Sequence, residues 1–132
     1  MNGKLSSSME NYLKTIYYIC DYHSTARIGE IAAKMEVSKA SASKAVSLLE
    51  SNGLVYRLPD RSLQLTPDGM RHAALISNRH KIIKTFFSVI LNVTPAVADK
   101  DACHFEHAIS MESLQSMCRY LEKYKCDGTG LL

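Results

Sequence analysis

The sequence has no hydrophobic run that approaches the roughly 18 residues needed to cross a membrane. Its first residues, Met1 to Ser8, are polar and lack the apolar stretch of a secretory signal. We therefore expect a cytoplasmic protein with no membrane partner. The 132 residues, 46% of them hydrophobic, are enough for one domain or for two small units that share a core.

The cysteines lack the close CxxC pairs of a zinc ribbon, and we expect them to be free thiols in a reducing compartment. They are scattered along the chain at Cys20, Cys103, Cys118 and Cys126. The net charge of +3 is only mildly basic. It permits contact with phosphates, but many unrelated soluble domains carry a similar charge, so it does not identify a nucleic-acid binder.

The pattern also lacks the alternation of strands and helices that marks a doubly wound sheet, and helical signals dominate instead. Ser7 and Glu10 are three residues apart and resemble a capping box. After them, apolar residues recur at helical spacing, which predicts an amphipathic helix over roughly residues 8–22. These apolar residues are Tyr12, Leu13, Ile16, Tyr17 and Ile19.

The next stretch predicts a helix-turn-helix. A short amphipathic helix, with an apolar face from Ile28 to Met35, leads into a turn at Val37-Ser38, where Ser38 is a good N-cap. A second helix starts there, and Asn52-Gly53 ends it. Its buried side is lined by Ala42, Ala45, Val46, Leu48 and Leu49. Two helices joined in this way are typical of a DNA-reading motif.

A β-hairpin is predicted directly after the second helix. Residues 54–58 have the pattern of a strand, Pro59-Asp60 that of a turn, and residues 62–65 that of the return strand. A hairpin in this place is typical of the wing of a winged helix. Thr66-Pro67 then gives an N-cap and a proline at the first helical position.

The second half is predicted to be entirely helical. The pattern indicates a long helix from Pro67 to about Leu91, a helix from Thr94 to about Ile109, and a last helix capped by Ser110 that ends at about Tyr124. The predicted fold is therefore mainly α. An N-terminal winged helix-turn-helix with a small β wing occupies residues 1–70, and an all-helical domain occupies residues 71–132.

The face of the second helix that lies opposite its apolar side suits DNA. Small and hydroxyl residues let a helix lie deep in the major groove, and lysines reach base edges or phosphates. This face carries Lys39, Ala40, Ser41, Ser43, Lys44 and Ser47. Arg57 and Arg61 on the hairpin are placed to hold backbone phosphates. The alternative is that this face is an ordinary solvated helix surface. The hairpin that follows the helix makes this alternative less favoured, because a hairpin in that place is typical of a DNA-binding winged helix.

The residues also predict a homodimer. A single winged helix binds DNA weakly, and proteins that read half-sites normally dimerise. The exposed apolar residues of the last two helices offer a self-complementary surface for a twofold dimer. We therefore expect double-stranded DNA and a second copy of the chain as partners.

Three side chains near residue 105 form a candidate metal site. Cys103, Glu106 and His107 stand at i, i+3 and i+4, so on one helix they would share a face. Thiolate, carboxylate and imidazole are all ligands of first-row divalent ions. Further candidate donors are His80, Asp99 and the amide oxygen of Asn11.

The alternative is that Cys103 is a small core residue and that Glu106 and His107 are solvated. A second alternative is an enzyme in which the Cys103 thiol acts as a nucleophile beside a histidine. No orienting third group and no oxyanion motif accompany such a pair, so we do not expect an enzyme. The remaining histidines are expected on the surface or in packing: His23, His72 and His104.

From about Ser8 to Tyr124 the sequence resembles the diphtheria-toxin-repressor family of metal-dependent repressors, which includes the manganese transport regulators. Each matching string is weak alone, but all of them occur in the right order and at the right separations. The strings are Glu10-Asn11-Tyr12-Leu13-Lys14-Thr15-Ile16-Tyr17, Ile31-Ala32 with Val37-Ser38, Leu48-Leu49-Glu50-Ser51-Asn52-Gly53-Leu54-Val55, Asp60-Arg61-Ser62-Leu63-Gln64-Leu65-Thr66-Pro67, Arg79-His80, and Ala102-Cys103-His104-Phe105-Glu106-His107.

The resemblance implies a homodimer that binds a palindromic operator when a divalent metal is bound and that represses genes of metal-ion uptake. The helical domain would then serve metal binding and dimerisation. By position, Cys103, Glu106 and His107 match the regulatory ligands of the family, and His80 matches a ligand of a neighbouring ancillary site. In the winged helix-turn-helix of residues 1–70, which we call the reading head, the residues implied to contact bases or phosphate are Ser38, Ala40, Lys44 and Arg61.

The sequence departs from the family pattern at four positions. Asn11 stands where iron-type members have methionine and manganese-type members aspartate, and Lys14 replaces an acid of the manganese-type second site. Lys84 occupies an ancillary-ligand position, where its charge would neutralise part of that site instead of binding metal. Asp99 replaces an ancillary histidine. A neutral amide at Asn11 predicts a weaker or more selective metal response than a carboxylate would give.

The donor types favour iron. A thiolate favours Fe(II), Co(II), Ni(II) or Zn(II) over Mn(II), and cellular supply decides among them. Fe(II) is thus the expected ion, with Mn(II), Co(II), Ni(II) and Zn(II) left open. Two rival functions also stay open: a winged-helix regulator that has no metal response and senses redox state through Cys103 or its neighbours, and a winged-helix module that binds protein instead of DNA.

Overall fold

The computed structural model describes residues 5–126 of the chain. The chain divides into two compact units, Met1–Ile76 and Ser77–Leu132, and the described residues are mainly helical with one two-stranded sheet. The mainly helical fold with a small wing is therefore confirmed. In chain order the elements are α1 Ser7–His23, α2 Ile28–Met35, α3 Lys39–Ser51, β1 Val55–Arg57, β2 Leu63–Leu65, α4 Pro67–Ser77, α5 Arg79–Thr85, a π-helical segment Phe86–Ile90, α6 Pro95–Phe105 and α7 Met111–Cys126.

The N-cap of the first helix lies one residue before the predicted cap. Ser6 is the N-cap of α1, and its Oγ accepts a hydrogen bond from the Met9 N–H at 3.1 Å. The predicted capping box of Ser7 and Glu10 is therefore wrong, because Ser7 already lies inside the helix. Three serines in a row offer three possible caps, and the local pattern does not distinguish them.

The helix-turn-helix forms from α2 and α3 as predicted. Ser38 is the N-cap of α3, and its Oγ accepts the Ser41 N–H at 3.0 Å. The turn starts at Glu36, which takes the left-handed conformation with φ 59° that ends α2. Gly53, with φ 73°, follows α3 in the same conformation, which glycine adopts without strain. The buried side of α3 consists of Ala42, Ala45, Val46 and Leu49, whereas Leu48, which was also predicted on this side, is half exposed.

The wing is a short antiparallel hairpin in which Val55 pairs with Leu65 and Arg57 with Leu63. Each strand is three residues long, which is shorter than predicted. Leu63 also bonds the loop before α2, since its N–H donates to the Ala26 carbonyl at 2.7 Å and its carbonyl accepts the Ala26 N–H at 3.0 Å. The hairpin is thereby tied to the start of the helix-turn-helix.

The long helix predicted from Pro67 to about Leu91 is wrong. The helix α4 ends at Ser77, Asn78 forms a turn with φ −102° and ψ 9°, and α5 starts at Arg79. Serine and asparagine side chains compete for backbone hydrogen bonds and so favour such turns over helix interiors. The domain boundary expected at residue 70 falls within α4.

The last two helices begin at the predicted caps. Thr94 precedes Pro95, the first residue of α6. The Ser110 Oγ accepts the Ser113 N–H at 3.1 Å at the start of α7. The helix α6 ends at Phe105, before the predicted end at about Ile109. Among the described residues, no helix combines the length and apolarity required to cross a bilayer.

Gly69 lies where α4 passes against the backbone that precedes the wing. The Thr66 N–H donates to the Leu54 carbonyl, and the Thr66 Oγ1 donates to the Gly53 carbonyl at 2.7 Å and accepts the Gly69 N–H at 3.0 Å. A Cβ added at Gly69 would lie 1.9 Å from the Leu54 carbonyl oxygen. Only glycine therefore permits this close approach.

We predict that Gly69→Ala lowers the free energy of unfolding by about 2 kcal/mol or more, because the rigid backbone of Leu54 cannot yield as a side chain would. Gly29→Ala is the matched control. Its added Cβ would lie 3.7 Å from the Lys39 Cε, an ordinary contact, so stability should stay the same or rise by up to about 1 kcal/mol. Urea unfolding followed by circular dichroism measures both, and equal stability of the two variants would contradict the prediction.

Candidate DNA interface and metal centre

The predicted DNA-contacting residues of the second helix-turn-helix helix share one surface of α3. Five of the six are exposed and Ser43 is half-buried. The exposed ones are Lys39, Ala40, Ser41, Lys44 and Ser47. They follow the N-cap Ser38, whose hydroxyl donates to the Ser41 Oγ at 3.1 Å while it accepts the Ser41 N–H. The first turn of α3 carries no acidic residue, so no carboxylate there opposes the attraction of the positive helix end and Lys39 for an anion.

The two predicted arginines of the wing differ in their surroundings. The Arg57 Nε lies 3.3 Å from the Glu50 Oε1, so this guanidinium is paired with the last turn of α3. Arg61 is exposed at the tip of the wing with φ 74°. In the part of the chain that the structure describes, the Arg61 side chain makes no hydrogen bond or ion pair. Arg61 is therefore the wing cation that is available to an external phosphate.

Arg27 holds the wing in place, and the sequence pattern did not reveal it. Its guanidinium lies 3.2 Å from the Asp60 Oδ2 and donates to the Asp60 carbonyl at 3.3 Å. Asp60 in turn accepts hydrogen bonds from the Ser62 hydroxyl at 2.6 Å and the Ser62 N–H at 3.0 Å. These bonds from Ser62, with the charge of Arg27, hold the pKa of Asp60 below its usual value. No local signal links Arg27 to a residue that lies 33 positions further along the chain.

Within the second unit, α5 and α6 bring three candidate ligands together. His80 lies on α5, and Asp99 and Cys103 lie one turn apart on α6. One ligand atom from each residue lies within 4.8 Å of the other two. Nitrogen, oxygen and sulfur donors at this spacing fit a first-row divalent ion.

The two ring nitrogens of His80 face different groups. Nε2 lies 2.9 Å from the Asp99 Oδ1. Nδ1 lies 3.9 Å from the Cys103 Sγ and 3.9 Å from the Glu106 Oε1. The hydrogen bond to His80 lowers the pKa of Asp99, and Lys84, whose Nζ is 3.6 Å from the Asp99 Oδ1, acts in the same direction.

The structure corrects the placement of His107, which lies in the turn after α6 and not on the helix. Glu106 is the C-cap of α6, but it keeps helical backbone angles and its N–H donates to the Ala102 carbonyl, so it remains on the same side of the helix as Cys103. The turn after α6 closes where the N–H groups of residues 108 and 109 both donate to the Phe105 carbonyl. The Arg79 guanidinium holds the Glu106 carbonyl at 2.9 Å. Glu106 remains next to His80, whereas the His107 side chain is 78% exposed, with its Nε2 3.7 Å from the Glu106 Oε2.

Asn11, the last predicted metal ligand, lies on α1 in the first unit, where it is exposed. Its role as a ligand stays a prediction. The other histidines have hydrogen-bond or charged partners of their own. His72 and His104 each bond a backbone carbonyl one helical turn earlier, and His23 lies 3.9 Å from the Glu30 carboxylate.

We predict that Cys103 reacts with N-ethylmaleimide at least about 10-fold faster than Cys20 and Cys118 at pH 7.5. Cys103 is exposed, whereas burial raises the pKa of the Cys20 and Cys118 thiols and so lowers their thiolate fraction below those pKa values. Added Zn(II) should protect Cys103 alone. Peptide mass spectrometry over time measures each rate, and equal rates or no protection would contradict the prediction.

Two family models match adjacent parts of the chain. The model described as the iron dependent repressor N-terminal DNA binding domain matches residues 4–63. The model described as the iron dependent repressor metal binding and dimerisation domain matches residues 66–131. Together they account for nearly the whole sequence.

The chain is also similar to individual regulators. A helix-turn-helix transcriptional regulator of Methanocaldococcus jannaschii is 30% identical over 92% of this chain and 98% of that protein. The diphtheria toxin repressor of Corynebacterium glutamicum is 30% identical over 89% of this chain and 52% of that protein, so the chain spans about half its length. The transcriptional regulator MntR of Salmonella typhimurium is 29% identical over 88% of this chain and 73% of that protein.

Solved structures agree with these relatives. The crystal structure of a hypothetical protein from Sulfolobus solfataricus has a TM-score of 0.66 at 27% identity and covers 90% of this chain and 91% of its own. The structure of the manganese regulator SloR has a TM-score of 0.57 at 27% identity, over 89% of this chain and 55% of its own. The chain therefore belongs to the iron-dependent repressor family, whose members are DNA-binding transcriptional regulators and not enzymes.

Proposed function

We propose that the protein is a cytoplasmic, metal-dependent repressor of metal-ion homeostasis, which binds a palindromic operator as a homodimer when a divalent transition metal is bound. The observation that carries this proposal is the cluster of His80, Asp99 and Cys103 in a chain that also has a winged helix-turn-helix. The relatives named as diphtheria toxin repressor and MntR support the same function.

The donor set fits the ion that the family name implies. His80 supplies an imidazole, Cys103 a thiolate and Glu106 a carboxylate, and Asp99 lies beside His80. A bound ion would supply a positive charge that these side chains share. Of the remaining candidate ligands, His107 and Asn11 are exposed and would have to complete the coordination shell from their own segments.

We propose Fe(II) as the physiological ion. The thiolate of Cys103 favours Fe(II), Co(II), Ni(II) or Zn(II) over Mn(II), whose preferred ligands are oxygens. The family models are described as iron dependent, whereas SloR is described as a manganese regulator. The sulfur donor is therefore the feature of this chain that favours iron.

The proposed homodimer uses the apolar surface of the second unit. Four large apolar side chains of this unit are about half exposed: Leu91, Val97, Phe105 and Tyr120. The family model that matches this part of the chain is described as a dimerisation domain. Each copy would place one reading helix on one half of a palindromic site.

The physical basis of the switch is linkage. An ion that binds the DNA-competent state more tightly than the other state must raise DNA affinity by the same factor by which DNA raises ion affinity. Coupling free energies of this kind are typically about 1–3 kcal/mol. The switch therefore requires only a modest difference in ion affinity between the DNA-competent state and the other state.

The redox alternative rests on Cys103. Burial raises the pKa of Cys20 and Cys118, which makes these thiols poor redox sensors. Cys103 is exposed, but its Sγ lies 3.9 Å from the His80 Nδ1, among other donors. This placement favours a ligand over an isolated oxidisable thiol.

We predict that Fe(II) tightens binding to the DNA upstream of the gene itself by at least about 10-fold relative to binding in excess chelator. Anaerobic fluorescence anisotropy at fixed salt measures both affinities. Cys103→Ala should abolish the difference, while Cys118→Ala, which removes a half-buried thiol outside the cluster, should retain it. Equal affinity with chelator and with Fe(II), Mn(II) or Co(II) would remove metal dependence from the proposal.

We further predict that Lys44→Ala weakens operator binding by about 1–3 kcal/mol, as expected for a side chain that reads bases. Arg61→Ala should weaken binding to all sequences about equally and reduce the slope of log affinity against log salt by about 1, as expected for one phosphate contact. Lys123→Ala, an equal loss of charge on α7, is the control. Wild-type affinity in the Lys44 and Arg61 variants would favour a protein-binding module over a DNA reader.

A further inference from the structure

Four side chains of α5 and α6 form a ladder across the two helices. His80 and Lys84 are one helical turn apart on α5, and Asp99 and Cys103 are one turn apart on α6. Lys84 lies next to Asp99, and His80 lies next to both Asp99 and Cys103. One end of this ladder is therefore a lysine–aspartate pair, and the other end holds the thiol.

The ring of His80 separates two different environments. On its Nε2 side, the Asp99 oxygen lies at 2.9 Å, the length of a direct N–H···O hydrogen bond. On its Nδ1 side, the Cys103 Sγ and the Glu106 Oε1 both lie at 3.9 Å. Bonds from one zinc-like ion are about 2.0–2.1 Å to nitrogen and about 2.3 Å to sulfur. Two such ligands can lie up to about 4.3 Å apart, so the Nδ1 side has donors at a spacing that one ion can span.

Lys84 distinguishes the two sides further. Its ammonium lies 3.6 Å from the Asp99 Oδ1 and so already supplies a positive charge to this carboxylate. A divalent ion bound to the same oxygen would be repelled by the ammonium at short range. Among the described residues, no lysine or arginine bonds Cys103, whose partner is His80, and the Glu106 side chain faces the two histidines.

We infer that the cluster takes a single divalent ion, on the Nδ1 side of His80 with Cys103 and Glu106, and that Lys84 occupies the cation position at Asp99. This inference rests on the proposed metal binding. Asp99 is then a positioning residue and not a ligand. It accepts the Nε2–H hydrogen bond, fixes the tautomer of His80, and thereby turns the Nδ1 lone pair towards the thiol and the Glu106 carboxylate.

The first experiment identifies which nitrogen of His80 binds the ion. Zn(II) is added to the full chain labelled with ¹⁵N-histidine, and two-bond ¹H–¹⁵N correlation spectra are recorded, with His80→Gln used to assign the signals. We expect the Nδ1 resonance to take the shift of a metal-bound nitrogen and Nε2 to keep its proton. A metal-bound Nε2 would overturn the inference.

The second experiment measures stoichiometry and affinity with Co(II) under anaerobic conditions. We expect one Co(II) per chain with a thiolate-to-cobalt absorption band that Cys103→Ala removes. Lys84→Gln should change the Co(II) affinity by less than about 3-fold, because the ion lies on the Nδ1 side of His80, away from the Lys84–Asp99 pair. Lys81→Gln, an exposed lysine on the same helix, is the matched control. A gain of 10-fold or more in Lys84→Gln alone would place the bound ion at Asp99 and so overturn the inference.

The third experiment tests the positioning role of Asp99. Asp99→Asn retains a carbonyl oxygen that accepts the Nε2–H, so it should lose less than about 10-fold in Co(II) affinity, whereas Asp99→Ala should lose about 10–100-fold. Both variants should keep the thiolate band. Equal large losses in the two variants, with a change of the band, would make Asp99 a ligand.

The outcomes separate this inference from the proposed function. One ion on Nδ1 with DNA binding that ignores metal would preserve the inference and contradict the metal switch. Metal-dependent DNA binding with two ions per chain, or with Asp99 as a ligand, would preserve the switch and contradict the inference. A wild-type chain that binds no Co(II) would contradict both.

Discussion

The packing of α5 against α6 is the constraint on which the candidate metal centre depends. His80 and Cys103 are 23 residues apart in sequence, and their side chains meet only because these helices lie together. Ala98 and Ala102 on α6 are fully buried, and such small residues let two helix backbones approach closely. Larger residues at these positions would separate the donors without altering any of them.

In the reading head, the position of the wing likewise depends on contacts with residues outside the hairpin. The wing is too short to hold its own geometry, because a lone hairpin of three-residue strands is marginal in water. It is held by the backbone bonds of Leu63 to Ala26, by the Arg27–Asp60 pair, and by the Arg57–Glu50 pair. Of the two wing arginines, Arg57 therefore helps to hold the wing against α3, and Arg61 is available to contact a DNA phosphate.

Local signals predicted the parts of this structure that local physics decides. Ser38, Thr66 and Ser110 cap helices as expected, because a hydroxyl and a free N–H three residues later form a short-range pair. The breaks at Asn78 and after Phe105 were missed, since apolar periodicity continues across both. The Arg27–Asp60 pair and the two-sided environment of His80 were also missed, because they join residues that are distant in the sequence and that only tertiary packing brings together.

The solvent exposure of the candidate metal ligands bears on how a bound ion would exchange. Cys103 and Asp99 are exposed, and the side chains of His80 and Glu106 are 35% and 28% exposed. Structural metal sites are closed and contribute to folding itself, whereas ligands that face solvent let an ion exchange with its surroundings. The occupancy of such a site follows the free concentration of the ion, because occupancy depends on the ratio of that concentration to the dissociation constant. The stabilisation of the bound state depends on the same ratio. A site of this kind would report metal supply, as the proposed function requires.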